Sequence, residues 1–441
     1  MSLGDLLSPW LIAPFAGLLL CIAVLPLAVA KWFDRLRNKA LVAALFGVPV
    51  LAYLALQFGA LGRERILTTA GDYLSFIVLL AALFTISGGI YLTGDPLGTP
   101  RNNLTFLAVG AVLANFVGTT GAAMLLVRPL LRANSERTRS RHIFVFVIFI
   151  VCNIGGCLTP LGDPPLFLGF LQGIGFFWTL RLFPQWVVAT GLTLLVFWLV
   201  DTYYYRQEPL SAIVADEAEY VPVRLIGKIN LVFLGGVLLA VLLSGPLARV
   251  GQAVHVPFLR DLALLVLIAL SLRFGPGEPR RLNRFTWGPI MEVAIIFAGI
   301  FATMVPALAI LEARGADLGV TAPWQYFWAS GALSSFLDNA PTYLTFSALA
   351  RGVTGVPNAA GLMSQHVVPA LGVAPAAFLA AISCGSVFMG ANSYIGNAPN
   401  FMVKSIAEEH GVDMPHFFHY MAWSGAVLLP IFAIVTLIFY R

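Results

Sequence analysis

The stretch from Asn153 to Phe170, NIGGCLTPLGDPPLFLGF, lies in the middle of an apolar segment and cannot be helical throughout. Glycines, Pro160, Pro164, Pro165 and Asp163 interrupt it. A chain crossing hydrocarbon must satisfy its own backbone hydrogen bonds, so irregular backbone at membrane depth survives only where protein buries it or it lines a wet cavity. A second such stretch is Ser393 to Phe401, SYIGNAPNF, in the other half of the chain. Gly162-Asp163-Pro164-Pro165-Leu166-Phe167 reads against Gly396-Asn397-Ala398-Pro399-Asn400-Phe401.

That the surroundings are membrane follows from composition. Of 441 residues 59% are hydrophobic and 11% charged, against about 25% charged in soluble chains. The net charge of +5 comes mostly from loop arginines, which in a membrane protein report orientation rather than a nucleic-acid partner. Cys21, Cys152, Cys157 and Cys384 all fall in apolar segments, where a thiol behaves as a small hydrophobe. There is no Walker A loop, GxGxxG or HExxH, hence no recognisable route to ATP, a dinucleotide or zinc. The reading is a transporter rather than an enzyme, without a cofactor, driven by an ion gradient through sodium ions and protons.

Charge patterning orders the segments into two inverted halves, 1–205 and 229–441, joined by a polar cytoplasmic linker, 206–228. In the first, Pro9 to Ala30, Ala40 to Phe58 and Tyr73 to Leu92 cross in turn, the N-terminus being outside. Leu104 to Leu131 is long enough to span, but spanning would deliver Arg128, Arg132, Arg137, Arg139 and Arg141 to the outer face, against the positive-inside bias. The segment is split by Asn115, Gly118, Thr119, Thr120 and Gly121, so it reads as a re-entrant hairpin, 104–131. A broken helix, 143–177, and Gln185 to Tyr205 complete the half. The second half repeats this: Ile229 to Leu243, Leu262 to Phe274 and Trp287 to Leu311, a hairpin 324–349 split at Asp338-Asn339-Ala340-Pro341, a broken helix 375–406, and Phe417 to Tyr440, ending outside. The expected fold is an all-α polytopic membrane protein of about ten transmembrane helices and two re-entrant hairpins, in the inner (plasma) membrane. Inverted repeats with sites at discontinuous helices are a recurring plan of secondary transporters.

Asp163 and Asp338 are the carboxylates in the breaks. A central acid costs about 2.5–3.5 kcal/mol on insertion scales, so it faces a cavity or a partner. Each could instead cap a helix, since Pro164 and Pro341 mark helix starts. As a functional pair they would bind sodium or exchange it for protons. Neutral oxygens surround them: Asn115, Thr119, Asn153, Thr159, Ser335, Asn339, Thr342, Asn392, Ser393, Asn397 and Asn400. Hard cations take oxygen ligands, while half-helix N-termini suit an anion. For an anion, Asn153, Pro164, Ser335, Pro341, Ser393 and Asn400 would line the site. Glu292 reads as a helix-end or snorkelling residue, His416 and His419 as interfacial, and Lys404 as part of the positive-inside pattern.

With NIGGCLTPLGDPP (Asn153 to Pro165), SSFLDNAPTYLTF (Ser334 to Phe346) and ANSYIGNAPNFMVK (Ala391 to Lys404), the chain resembles the ion transporter superfamily over nearly its whole length. That group includes NhaD-type sodium/proton antiporters, arsenite efflux pumps and citrate or dicarboxylate carriers. The resemblance implies a homodimer in lipid, a scaffold domain, and a transport domain moving as an elevator. The Ser-Asn-Thr hairpin tips of sodium-coupled dicarboxylate carriers are not kept here: the tips read Ala114-Asn115 with Thr119, and Asp338-Asn339 with Thr342. The aspartates favour sodium/proton antiport by alternating access; carriage of citrate or another small anion is the alternative. A channel is disfavoured, because closed-ended hairpins suit occlusion.

Overall fold

The computed structural model describes residues 3–253 and 258–441. The first half contains α1 (Ala13–Ala28), α2 (Leu36–Gln57), α3 (Gly59–Ser87), β1 (Tyr91–Asp95), α4 (Pro100–Ala133), α5 (Arg141–Ile150), α6 (Pro164–Leu171) and α7 (Phe183–Tyr205). A connector with α8 (Leu210–Ala218) and β2 (Val221–Ile226) follows. The second half contains α9 (Ile229–Leu242), α10 (Ser244–Ala253), α11 (Leu259–Phe274), α12 (Gly288–Arg314), α13 (Pro323–Ser334), α14 (Asn339–Thr354), α15 (Pro375–Phe388), α16 (Ala398–Glu409) and α17 (Phe417–Phe439). The protein is an all-α polytopic membrane protein. Among the described residues, 9 helical stretches are long and apolar enough to cross a bilayer, or 10 if α9 and α10, bent by 70°, form one span.

One of those stretches, α4, folds back on itself. Gly118 in its middle has φ 77° and ψ 156°, a conformation that glycine adopts without a Cβ clash. Asn103 and Asn134 donate to each other's side-chain oxygen at 2.9 and 3.0 Å. In a straight helix these residues would stand about 46 Å apart, so α4 is a hairpin. The second hairpin is α13 and α14, broken between Ser334 and Asn339, with the rings of Tyr326 and Phe346 in contact across it at 6.2 Å.

Several bounds differ from those read in the sequence. Helix α3 begins at Gly59 rather than Tyr73, because Arg63, Glu64, Arg65 and Asp72 mark polar surroundings, not a helix end. The first broken helix stops at Leu171 instead of reaching Phe177. Helix α11 has 16 residues, about 24 Å, where a span needs about 20 residues. The connector is ordered: β2 pairs antiparallel with β1, Tyr91 opposite Ile226 and Thr93 opposite Arg224. Arg132 ties this ribbon to the first hairpin, donating to the carbonyls of Gly94 at 2.8 Å and Leu92 at 2.6 Å.

The two broken helices form the centre. Every residue from His142 to Ile150 is buried, as is nearly all of α15. By contrast α2 and α17 leave Leu41, Leu45, Leu56, Leu437 and Ile438 exposed, as helices bordering hydrocarbon do. Helix α12 spans 27 residues, about 40 Å. At its start lies the Arg284 loop, which shares a cavity with Arg132 and Asn134 at the mouth of the first hairpin. Near its end Glu312 pairs with Arg351 of the second hairpin at 2.5 Å. The two mouths therefore lie at opposite ends of α12.

Candidate functional site

Each break is held by the hairpin of its own half. In the first, the Asn115 side chain accepts from the Leu158 amide at 2.8 Å and donates to the Gly155 carbonyl at 2.7 Å, while Thr159 Oγ1 donates to the Asn115 carbonyl at 2.5 Å. In the second, Ser393 Oγ donates to the Ser335 carbonyl and Asn392 Nδ2 to Ser335 Oγ at 2.9 Å. These side chains stand where water would otherwise solvate non-helical backbone. Asn115 and Thr119 are spaced as Ser335 and Asn339, and Thr159 and Asp163 as Ser393 and Asn397.

The second member of each pair converges on one carboxylate. Asp163 Oδ1 accepts from Thr119 Oγ1 and from Asn397 Nδ2, each at 3.1 Å, and Oδ2 accepts from Asn339 Nδ2. Both hairpin tips and both breaks thus meet at Asp163, which is 1% exposed. Its position before Pro164 is a helix cap, yet its side chain makes no capping bond. No arginine, lysine or histidine pairs with it among the described residues. Asn339 Oδ1, beside it, is buried and unpartnered. Behind this cluster Asn397 Nδ2 also donates to the Cys152 carbonyl at 2.9 Å, and Asn153 Nδ2 to Asn400 Oδ1 at 2.8 Å. Asn400 returns bonds to the Gly390 and Ser393 carbonyls at 2.8 and 2.9 Å.

The other sequence candidates make no hydrogen bond to the carboxylate among the described residues. Asp338, half-buried, caps α14: its Oδ1 accepts from the Ala340 amide at 3.1 Å. Thr342 donates back to the Asp338 carbonyl at 3.1 Å. Pro164 starts α6 and Pro341 lies in the first turn of α14. Glu292 pairs with Lys39, and Lys404 with Glu408 at 2.7 Å. The rings of His416 and His419 lie 5.7 Å apart, and all four cysteines are unpaired. An Asn in place of Asp338 keeps the cap, so Asp338→Asn should retain most transport, whereas Asp338→Ala should lose about 1 kcal/mol of stability. Transport rates and melting of the two purified variants, side by side, check this; loss of transport in Asp338→Asn would put Asp338 in the mechanism.

Reading the breaks alone overlooked Asp201, inside α7, which pairs with Arg137 at 2.7 Å and His142 at 2.8 Å and accepts from Asn103 at 3.1 Å. The signal was available: an acid within an apolar run asks for a partner.

Chemically, a cluster of one carboxylate, one hydroxyl and two amides can hold a proton or a hard cation. Asp163, the Thr119 hydroxyl and the unpartnered Asn339 Oδ1 are oxygens of the kind such cations take, while Asn339 and Asn397 present Nδ2 to the carboxylate. Residues 4–440 match the family described as "Putative citrate transport". No curated protein matches the chain.

Proposed function

The chain belongs to the family described as "Putative citrate transport", and on that premise we propose that it is an ion-coupled secondary transporter of citrate or a similar small carboxylate, with Asp163 taking the coupling proton or sodium ion. The observation that carries this is the buried Asp163 carboxylate held by three neutral donors and, among the described residues, no cationic side chain. A buried charge without a counter-charge is costly. A proton or cation that neutralises it would let the closed cluster pass between the two membrane faces, and would tie that passage to an ion gradient.

In this reading the hairpins and broken helices form the moving part and the first two crossings of each half, α1, α2, α9 and α11, the scaffold of a homodimer, with the repeats inverted. Placing the Arg132 to Arg141 and Arg284 loops in the cytoplasm satisfies the positive-inside bias and puts both termini outside, in the inner (plasma) membrane.

Sodium/proton antiport is the second reading. It is favoured by the same absence of cationic partners, because a bound citrate anion would face the Asp163 carboxylate directly unless a metal ion or proton came with it. Proteoliposomes decide between them. Citrate uptake should follow an imposed proton or sodium gradient, tested with sodium, lithium and potassium. A sodium-driven pH change without citrate, and no citrate uptake under any gradient, would replace carboxylate carriage with antiport.

A further inference from the structure

A cavity of about 800 Å³ opens where the two basic loops meet. Six of its lining side chains are arginines, Arg128, Arg132, Arg137, Arg139, Arg141 and Arg284, against one carboxylate, Asp413. Five have partners. Arg132 bonds the ribbon, Arg137 pairs with Asp201 at 2.7 Å, Arg139 donates to Gln207, Arg141 lies 3.4 Å from Asp413, and Arg284 pairs with Glu409 at 2.9 Å. Arg128 is different. It is 8% exposed, it lines the cavity, its Nη1 is shut away from solvent without a partner, and no hydrogen bond or ion pair of its guanidinium exists among the described residues.

A guanidinium so placed bears the desolvation cost of a buried charge with no anion in contact, and its fork of donors matches a carboxylate bidentately. Its position adds a second constraint. Arg128 and Thr119 share the second arm of hairpin α4, nine residues apart, so Arg128 lies about 14 Å along that arm from the Asp163 cluster. An anion there would sit on the same hairpin arm as the carboxylate cluster without touching it.

We infer that this vestibule is a binding site for a small polycarboxylate, gripped by Arg128 and drawn in by the surrounding arginines, where cargo waits before it reaches the Asp163 cluster. The identity of the ligand rests on the carboxylate reading proposed above; the anion site rests on Arg128 alone. The cavity is of the size that small-molecule sites have, about 300–1,000 Å³.

The test is citrate binding to the purified full chain by titration calorimetry, with no gradient present. Citrate should bind, and more weakly as sodium chloride is raised, since the surrounding charges are screened. Arg128→Gln should weaken binding about tenfold or more, as for one lost charge-assisted bidentate pair, while Arg128→Lys keeps part of it and Gly425→Ala, where a new methyl meets nothing within 4 Å, binds as the parent does. Should Arg128→Gln fail to fold, Arg284→Gln at the exposed rim still tests the site through a smaller loss that is largest at low salt. Unchanged affinity in the folded variants would overturn the proposal. So would equal competition by inorganic phosphate, which would assign the cavity to a phosphate-bearing ligand such as an anionic lipid headgroup. Citrate transport without any binding at Arg128 would sink the vestibule and spare the function; binding at Arg128 without citrate transport would do the reverse.

Discussion

Asp163→Asn should abolish the stimulation of transport by an ion gradient, about a hundredfold in the parent protein, while the protein stays folded. The amide has the carboxylate's shape and can still accept from Thr119 and Asn397, and it can donate to the unpartnered Asn339 Oδ1. Removing an unpaired buried charge costs no stability and can add some. What disappears is the coupling: neutralising a central carboxylate is worth about 2.5–3.5 kcal/mol on insertion scales, about a hundredfold in the population able to cross, and the permanently neutral amide has that population without any ion, so the ion no longer controls passage. The measurement is gradient-driven uptake in proteoliposomes, beside a melting curve of the detergent-purified variant. Parental uptake in a folded Asp163→Asn protein would remove Asp163 from the mechanism.

Gly162→Ala should destabilise the protein by about 3 kcal/mol or more, the upper end for an overpacked site. A Cβ at Gly162 would lie 2.1 Å from the Gly156 carbonyl oxygen, and both atoms belong to backbone within the break, so neither can rotate away. The second half holds the same contact, where a Cβ at Gly396 would meet the Gly390 oxygen at 2.5 Å. Gly191→Ala and Gly425→Ala are the controls. Each lies inside a helix with nothing within 4 Å of the new methyl, and the change should be neutral or stabilise by about 0.4–1 kcal/mol. Melting of the purified variants, followed by tryptophan fluorescence, compares them. Gly162→Ala melting alongside the controls would mean that the break can relax, and that its close crossing does not set the position of Asp163.

The membrane setting, the two breaks, both hairpins and Asp163 were legible in the sequence because each rests on a local cost. Proline and glycine in an apolar segment stop a helix, an acid at that depth needs a partner, and five arginines at the end of a hairpin and just beyond it resist translocation. Helix starts were less legible where charge was taken for an end, as at Gly59, because an exposed charged turn is as helical as an apolar one. What the local chain could not decide was who meets whom. Asp163 and Asp338 look alike in sequence, and only the fold gives the first the side chains of Thr119, Asn339 and Asn397 and the second the amide of Ala340. The pairing of β1 with β2 joins residues about 130 positions apart, and short strands carry little pattern of their own. Asn115 reaches Gly155 across 40 positions, Asn153 reaches Asn400 across 247, and Arg128 ends without a partner while its neighbours find theirs. A hydrogen bond between distant residues depends on the packing that brings them together, so the chain order names the donors and acceptors, and only tertiary structure selects the pairs.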